Sequence, residues 1–495
     1  NKKSNTNAIM KQLKDILFGV PLKTVSGSTA VQISGVAFDS RAVTHQSLFV
    51  AIKGTHHDGH AHINDAVKHG AVAVLCEQFP DVLADKVVYV LCENTRRSLA
   101  TVASQWYDTP SKALKLIGIT GTNGKTSVAT MAYQLFDKMG FATGLLSTVE
   151  VIINKKIVPS THTTPDPLTI NKHLSEMVAA GVTHCFMEVS SHGIDQDRIA
   201  DLHFSGGVFT NLSHDHLDYH KDFKSYRDTK KIFFDGLAST AFALASADDK
   251  NGRYMLQNTK ASKHYFGLKS VADFHVKVLE KDFSGMLLKL QHNEVWTPLV
   301  GTFNASNFIS VYAIAELLDI KQSDFLPVLS TIKGAAGRFQ MVHTDRQVTA
   351  IVDYAHTPDA LTQVLNTITA LRTRNEKLIT VVGCGGNRDK AKRPLMAKAA
   401  VAKSDLTIFT SDNPRNEDPN LIINEMLAGV PMESNQKYLT VLNRAQAIKT
   451  ACTMAQDQDI ILVAGKGHET YQDQYGERLP FDDMQELTQN LKSKR

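Results

Sequence analysis

Three observations predict an α/β fold divided into three domains. The chain has 495 residues, 43% of them hydrophobic, which is more than one core holds, and length alone suggests roughly three domains. A glycine-rich turn, GITGTNGKTS at 118–127, joins an apolar strand to an amphipathic helix. Beyond Gly337, apolar strands alternate with helical stretches, the pattern of a doubly wound, Rossmann-like parallel sheet.

The elements follow in order. Residues 1–94 mix short strands and helices, with turn chemistry at Asp39-Ser40-Arg41 and between Gly54 and Gly59, and read as a small α/β domain. Residues 95–336 form a central, P-loop ATPase-like domain. Its strand carries Leu114, Leu116, Ile117 and Ile119, and its helix carries Val128, Met131, Ala132, Leu135, Phe136 and Met139 at helical spacing until Gly140 ends it. A second strand, 185–189, contains Glu188 near its end. Residues 337–495 form the C-terminal domain, with strands predicted at 348–352, 378–382, 406–409 and 460–463.

Composition narrows the function. A net charge of +4 with scattered basic residues gives no reason to expect nucleic acid or an anionic membrane as partner. Cys76, Cys92, Cys185, Cys384 and Cys452 are odd in number and show no CxxC spacing, which argues against a disulfide framework or a structural zinc site and fits a reducing cytoplasm. No signal peptide is evident, and no run of about 18 apolar residues suggests a membrane span. A soluble, cytoplasmic protein is expected.

The turn between strand and helix is where nucleotide phosphates bind. Unpaired N–H groups and the positive end of the helix dipole face the phosphates, Lys125 reaches the outer ones, and the Thr126 hydroxyl can ligate Mg²⁺. Glu188, at the end of its strand, is placed to bind Mg²⁺ directly or through water. The segment Asn211 to His220 packs three His and two Asp into ten residues, a density that suggests a metal or phosphate site. Zinc stays open there, but Mg²⁺ with one imidazole ligand is the simpler reading.

Each strand of the C-terminal sheet runs into an ionic cluster. These are Asp353 to His356, Gly383 to Asp389 with Arg388, Asp412 to Arg415, and Gly465 to Glu469. Ligands of open α/β sheets bind at such carboxyl ends. Arg388 and Arg415 suit a carboxylate, whereas Asp412, Asn413 and Glu469 suit an ammonium group, so the four edges describe a zwitterion pocket.

These motifs coincide with those of a known family. GTNGKT at 121–126, HTTPD at 162–166, EVSSHG at 188–193, DHLDYH at 215–220, YRDTK at 226–230, GTFNASN at 301–307, GR at 337–338 and DYAHTPDAL at 353–361 together resemble the Mur ligases, ATP-dependent amide-forming enzymes of peptidoglycan synthesis. DSRAV at 39–43, LFVAIKG at 48–54 and DGH at 58–60 resemble the UDP-binding domain of the branch that adds the third stem-peptide residue, and DNPR at 412–415 resembles its meso-diaminopimelate signature.

The resemblance implies ATP and Mg²⁺ as cofactors, and UDP-MurNAc-L-Ala-D-Glu and meso-diaminopimelate as substrates. Gly121, Thr122, Asn123, Gly124, Lys125, Thr126 and Ser127 would hold ATP, joined by Asn304, Arg338, Asp353 and His356. Thr126, Glu188, His216 and Lys230 would hold metal, Lys230 as a carbamate, and Lys125, Lys230, His216 and Glu188 would be catalytic. Ser40, His45, Thr163, Thr164, Ser190, Gln196 and Arg198 would contact the UDP-MurNAc-peptide, and Arg388, Asp412, Asn413, Arg415, Gly465 and Glu469 the amino acid. A monomer is expected. Asn387, Ala391, Ala336 and Asn443 depart from the usual pattern without removing a required group. The lysine-adding ligase of the same branch, the folate-polyglutamate ligase and a phosphate-loop ATPase switch are the alternatives.

Overall fold

The computed structural model describes residues 10–54, 57–160, 162–213, 219–220, 222–342, 346–373 and 375–492. The first unit is a five-stranded sheet in the order Leu22–Ser26, Val88–Cys92, Ala71–Cys76, Ser47–Val50, Gly35–Ala37, antiparallel only at its first pair. Helix Thr95–Trp106, capped by the Asn94 side chain, buries Leu99, Val102 and Trp106 against Leu13, Ile16, Leu48 and Val90 of this unit. The division drawn at 94/95 therefore cuts a helix from the core it helps to build.

The central sheet has eleven strands. An inner parallel run, Thr143–Leu146, His184–Glu188, Lys115–Thr120, Gly206–Phe209, Phe242–Ser246, Ser262–Gly267 and Phe274–Asp282, is extended at both ends by antiparallel hairpins. Strand side chains alternate between the faces. Ile117 and Ile119 join Val128, Leu135 and Phe136 of helix Lys125–Lys138 and the helix Thr302–Leu317, while Leu116 joins Tyr226, Phe233 and Phe234 of helix Phe223–Asp235 on the opposite side. Both faces are covered, as a parallel sheet requires.

The third unit is a six-stranded sheet in the order Gln340–Val342, Thr349–Asp353, Ile460–Ala464, Leu378–Val382, Leu406–Phe409, Tyr438–Thr440. All neighbours are parallel except the first pair. The four strands predicted from apolar runs form, side by side. Their register aligns Asp353 with Ala464, Ala464 with Val382, and Val382 with Phe409, so four carboxyl ends finish level. The two edge strands, three residues each, are too short to leave a period in the sequence.

Candidate functional site

A cavity of about 640 Å³ opens between the central and C-terminal units. One wall is the phosphate loop, where helix Lys125–Lys138 begins directly after Gly124, whose φ is +88°. The loop is held from behind. Asn211 Oδ1 accepts from Asn123 N at 2.9 Å, and the Asn211 amide and the Thr210 hydroxyl donate to Asn123 O at 3.0 and 2.6 Å. Gly121, at φ +148°, admits no side chain, because a Cβ there would sit 2.0 Å from Thr210 Oγ1. Lys125 Nζ folds back to donate to Gly121 O and Thr122 O, each at 2.9 Å. Thr122, Asn123, Gly124, Lys125 and Thr126 line the cavity, whereas Gly121 and Ser127 do not.

Beside the loop stands Glu188, paired in register with Ile119 and fully buried. Its Oε1 accepts from Thr148 N at 2.7 Å, while Oε2 is buried without a hydrogen-bond partner among the described residues. A bare carboxylate oxygen lining a polar cavity suits a cation. Lys230 is buried too, its Nζ donating to Gly121 O at 3.1 Å and lying 4.8 Å from the centre of the Tyr226 ring. Tyr226 in turn meets Thr122 Oγ1 at 3.1 Å. His216 lies outside the described residues.

Arg338 crosses from the C-terminal unit. Its Nη2 donates to Thr126 Oγ1 at 3.3 Å, its guanidinium lies 4.4 Å from the centre of the Tyr354 ring, and its Nε is buried without a hydrogen-bond partner among the described residues. His356 also lines the cavity. Asp353 does not. Its Oδ2 accepts from Phe339 N at 2.6 Å, and burial pushes its carboxyl pKa up despite nearby Arg338, so it braces the turn that carries Arg338. Asn304 likewise stays outside, with its amide spent on Val300 O and Asn307. Asn307, which also stays outside the lining, packs against the loop, its Oδ1 standing 2.7 Å from where a Gly124 Cβ would be.

Thr163, Thr164, Ser190 and Arg198 line a further part of the same cavity. The Thr164 hydroxyl donates to Glu188 O at 2.9 Å and accepts from Ser190 N at 3.0 Å, so it shapes the backbone around Glu188. Ser190 caps helix Ser191–Asp195, and Gln196, outside the lining, orients Arg198, whose Nη1 donates to Thr164 O at 2.7 Å. Ser40 and His45 are not brought to this cavity. Their carbonyls serve the N-terminal unit, Ser40 O meeting His69 Nδ1 at 2.9 Å and His45 O accepting from Ser34 Oγ at 2.6 Å.

The opposite wall gathers Arg388, Asp412, Asn413, Arg415, Gly465 and Glu469 from the level strand ends. Arg415, at φ +52°, donates from Nη1 to Gly386 O at 2.8 Å. Glu469 is not a lone anion. Its Oε2 accepts from Asn413 Nδ2 at 2.7 Å and from the fully buried Lys466 Nζ at 3.0 Å. Burial alone would raise the Asp412 pKa, but Lys466 and Arg444 hold it below the usual carboxylate range. Lys466 and Arg444 were given no role by the sequence, since a cation inside a motif does not reveal that it will be buried.

Among the described residues no group of three His, Cys, Asp or Glu side chains could hold a metal. The Glu188 carboxylate and the Thr126 hydroxyl fit Mg²⁺, which takes one or two protein oxygens and completes its shell with phosphate and water, whereas residues 214–218 of the His- and Asp-rich segment, where zinc was left open, lie outside the described residues. No helix among the described residues is long and apolar enough to cross a membrane.

The chain is similar to known proteins along most of its length. The Mur ligase middle domain matches residues 119–315, the Mur ligase glutamate ligase domain 337–467, and the Mur ligase family catalytic domain 32–107. The UDP-N-acetylmuramoyl-L-alanyl-D-glutamate--2,6-diaminopimelate ligase of Cytophaga hutchinsonii is 52% identical over 474 residues, covering 95% of this chain and 97% of its own. Its namesake from Phocaeicola vulgatus is 50% identical over 476 residues, covering 96% and 98%. A solved structure of a ligase of that name, 30% identical, superposes with a TM-score of 0.69 over 98% of this chain and 99% of its own. The fold extends to the Mycobacterium tuberculosis folylpolyglutamate synthase, at 18% identity and a TM-score of 0.60, over 75% of this chain and 92% of that one. With family domains matched from residue 32 to residue 467 and relatives this similar along nearly the whole chain, the protein belongs to the Mur ligase family.

Proposed function

We propose that the chain joins meso-diaminopimelate to the D-Glu γ-carboxylate of UDP-MurNAc-L-Ala-D-Glu, at the expense of ATP and through an acyl phosphate. One observation carries this reading: the phosphate loop and the paired-charge pocket with Arg415 are opposite walls of a single cavity. An ATPase switch has no use for the second wall, and a lysine-adding ligase has no use for a cation aimed at a second carboxylate.

The residues divide the work by charge. Lys125 and the loop N–H groups would hold the polyphosphate, and Arg338, with its bare Nε, would meet the transferring phosphoryl group from the other side. Thr126, Glu188, His216 and carbamylated Lys230 would hold Mg²⁺, which when bound supplies positive charge against the phosphate oxygens. Carbamylation exchanges the Lys230 cation for an anion; near-normal turnover of Lys230→Ala would remove that role. Thr163, Ser190 and Arg198 would position the peptide carboxylate, with Ser40 and His45 serving the UDP end. Arg388 and Arg415 would take the distal carboxylate of the acceptor, and Asp412, Asn413 and Glu469 its distal ammonium. The free amine then attacks the acyl carbon and phosphate departs with one carboxylate oxygen.

That last step gives the test. With ¹⁸O in the D-Glu γ-carboxylate, the released phosphate should carry label in step with amide formation. Product formed with unlabelled phosphate would rule out the acyl phosphate.

A further inference from the structure

Arg444 opens helix Arg444–Met454, directly after the departure from the family pattern at Asn443, and lies fully buried behind the amino-acid wall without lining the cavity. Most of its guanidinium is committed. Nε donates to Asp483 Oδ1 at 2.8 Å, and Nη2 donates to Asp483 Oδ2 at 2.7 Å and to Ala464 O at 3.1 Å. Nη1 has no hydrogen-bond partner among the described residues and stands 4.0 Å from Asp412 Oδ2.

That oxygen is confined on another side as well. A Cβ at Gly465 would lie 2.5 Å from Asp412 Oδ2, so the missing side chain makes room for the carboxylate. Asp412 Oδ1 accepts from Asn413 N at 2.7 Å. Gly465, Arg444 and the Asn413 amide thus enclose the carboxylate, which still lines the cavity. Lys466 and Arg415 also face Asp412, and with Arg444 they favour its charged form, the form that an incoming ammonium would meet.

We propose that Arg444 is a positioning residue: through Asp412 it sets the affinity of the pocket for the acceptor's ammonium group, and through Asp483 it ties that affinity to the C-terminal helix Asp483–Asn490. This rests on the acceptor occupying the wall described above.

The test uses the full-length enzyme and Arg444→Lys, which keeps the charge and loses the fork. KM for meso-diaminopimelate should rise about tenfold or more, while kcat and the KM values for ATP and the UDP-substrate stay within about twofold. Hydroxylamine supplied in place of the acceptor should trap acyl phosphate at the wild-type rate. Asp412→Asn should show the same split, and the double variant should be no worse than the poorer single one, because both act through one contact. An unchanged acceptor KM, or penalties that multiply in the double variant, would overturn the assignment. If melting shows that Arg444→Lys does not fold, Asp483→Asn, which loosens the same guanidinium, replaces it: a raised acceptor KM supports the assignment and an unchanged one overturns it. A wild-type enzyme that forms no hydroxamate would instead count against the ligase reading itself.

Discussion

The two walls of the cavity are built in opposite ways. The phosphate loop is a contiguous stretch whose working groups are mostly backbone, fixed by Thr210 and Asn211 behind it. The opposite wall is assembled from strand ends far apart in the chain and is held by ion pairs such as Lys466 with Glu469 and Arg444 with Asp483. A contiguous loop concentrates function in a few groups, each indispensable. A dispersed wall shares it among coupled charges, so single changes there should be graded.

The sharpest way to break this contrast is Lys125→Ala. Turnover should fall by about a thousandfold or more, since the loop's one side-chain cation for the phosphates is lost, while acceptor binding measured by calorimetry stays unchanged. A modest loss would mean the loop shares its load as the other wall does. Arg415→Ala should have a smaller effect. The preference for meso-diaminopimelate over L-lysine, read as a ratio of kcat/KM values, should drop about tenfold to a hundredfold, equivalent to roughly 1.5–3 kcal/mol for one charge-assisted pair.

The smallest effect concerns stability. The Arg393 guanidinium holds Glu417 down to about 2, from an ordinary 4.5, and so knits the loop at Gly385 to the segment after Arg415. A carboxylate with a lowered folded pKa contributes stability that is present above its unfolded value and lost as pH falls toward its folded one. The melting temperature should therefore decline between about pH 4.5 and 2, and Glu417→Gln should lie lower above this window and decline less within it. Parallel acid limbs would remove Glu417 from the account.

How much of this was legible follows from the same contrast. Strand, turn and helix around Lys125 are local, so period and glycine placement gave them away, and four of the six C-terminal strands showed as apolar runs. The level register that brings Arg388, Asp412, Arg415 and Glu469 to one wall could be expected from the general rule for parallel sheets. The partners were not legible. That Glu469 would be shared with a buried Lys466, that Asp353 would brace the Phe339 amide, or that Asn304 would turn to Val300 O depends on side-chain packing between segments. Helix Thr95–Trp106 joined the N-terminal core for a similar reason, since its apolar face does not say which neighbour it covers.

In the proposed reaction one cavity couples ATP cleavage to a diacid amine held by Arg415. This coupling is tested most directly by phosphate release with ATP, Mg²⁺ and UDP-MurNAc-L-Ala-D-Glu, with meso-diaminopimelate or L-lysine as acceptor and the product confirmed by mass. Release that depends on meso-diaminopimelate and not on lysine is the predicted result. Equal release with lysine, or release with no acceptor at all, would contradict it.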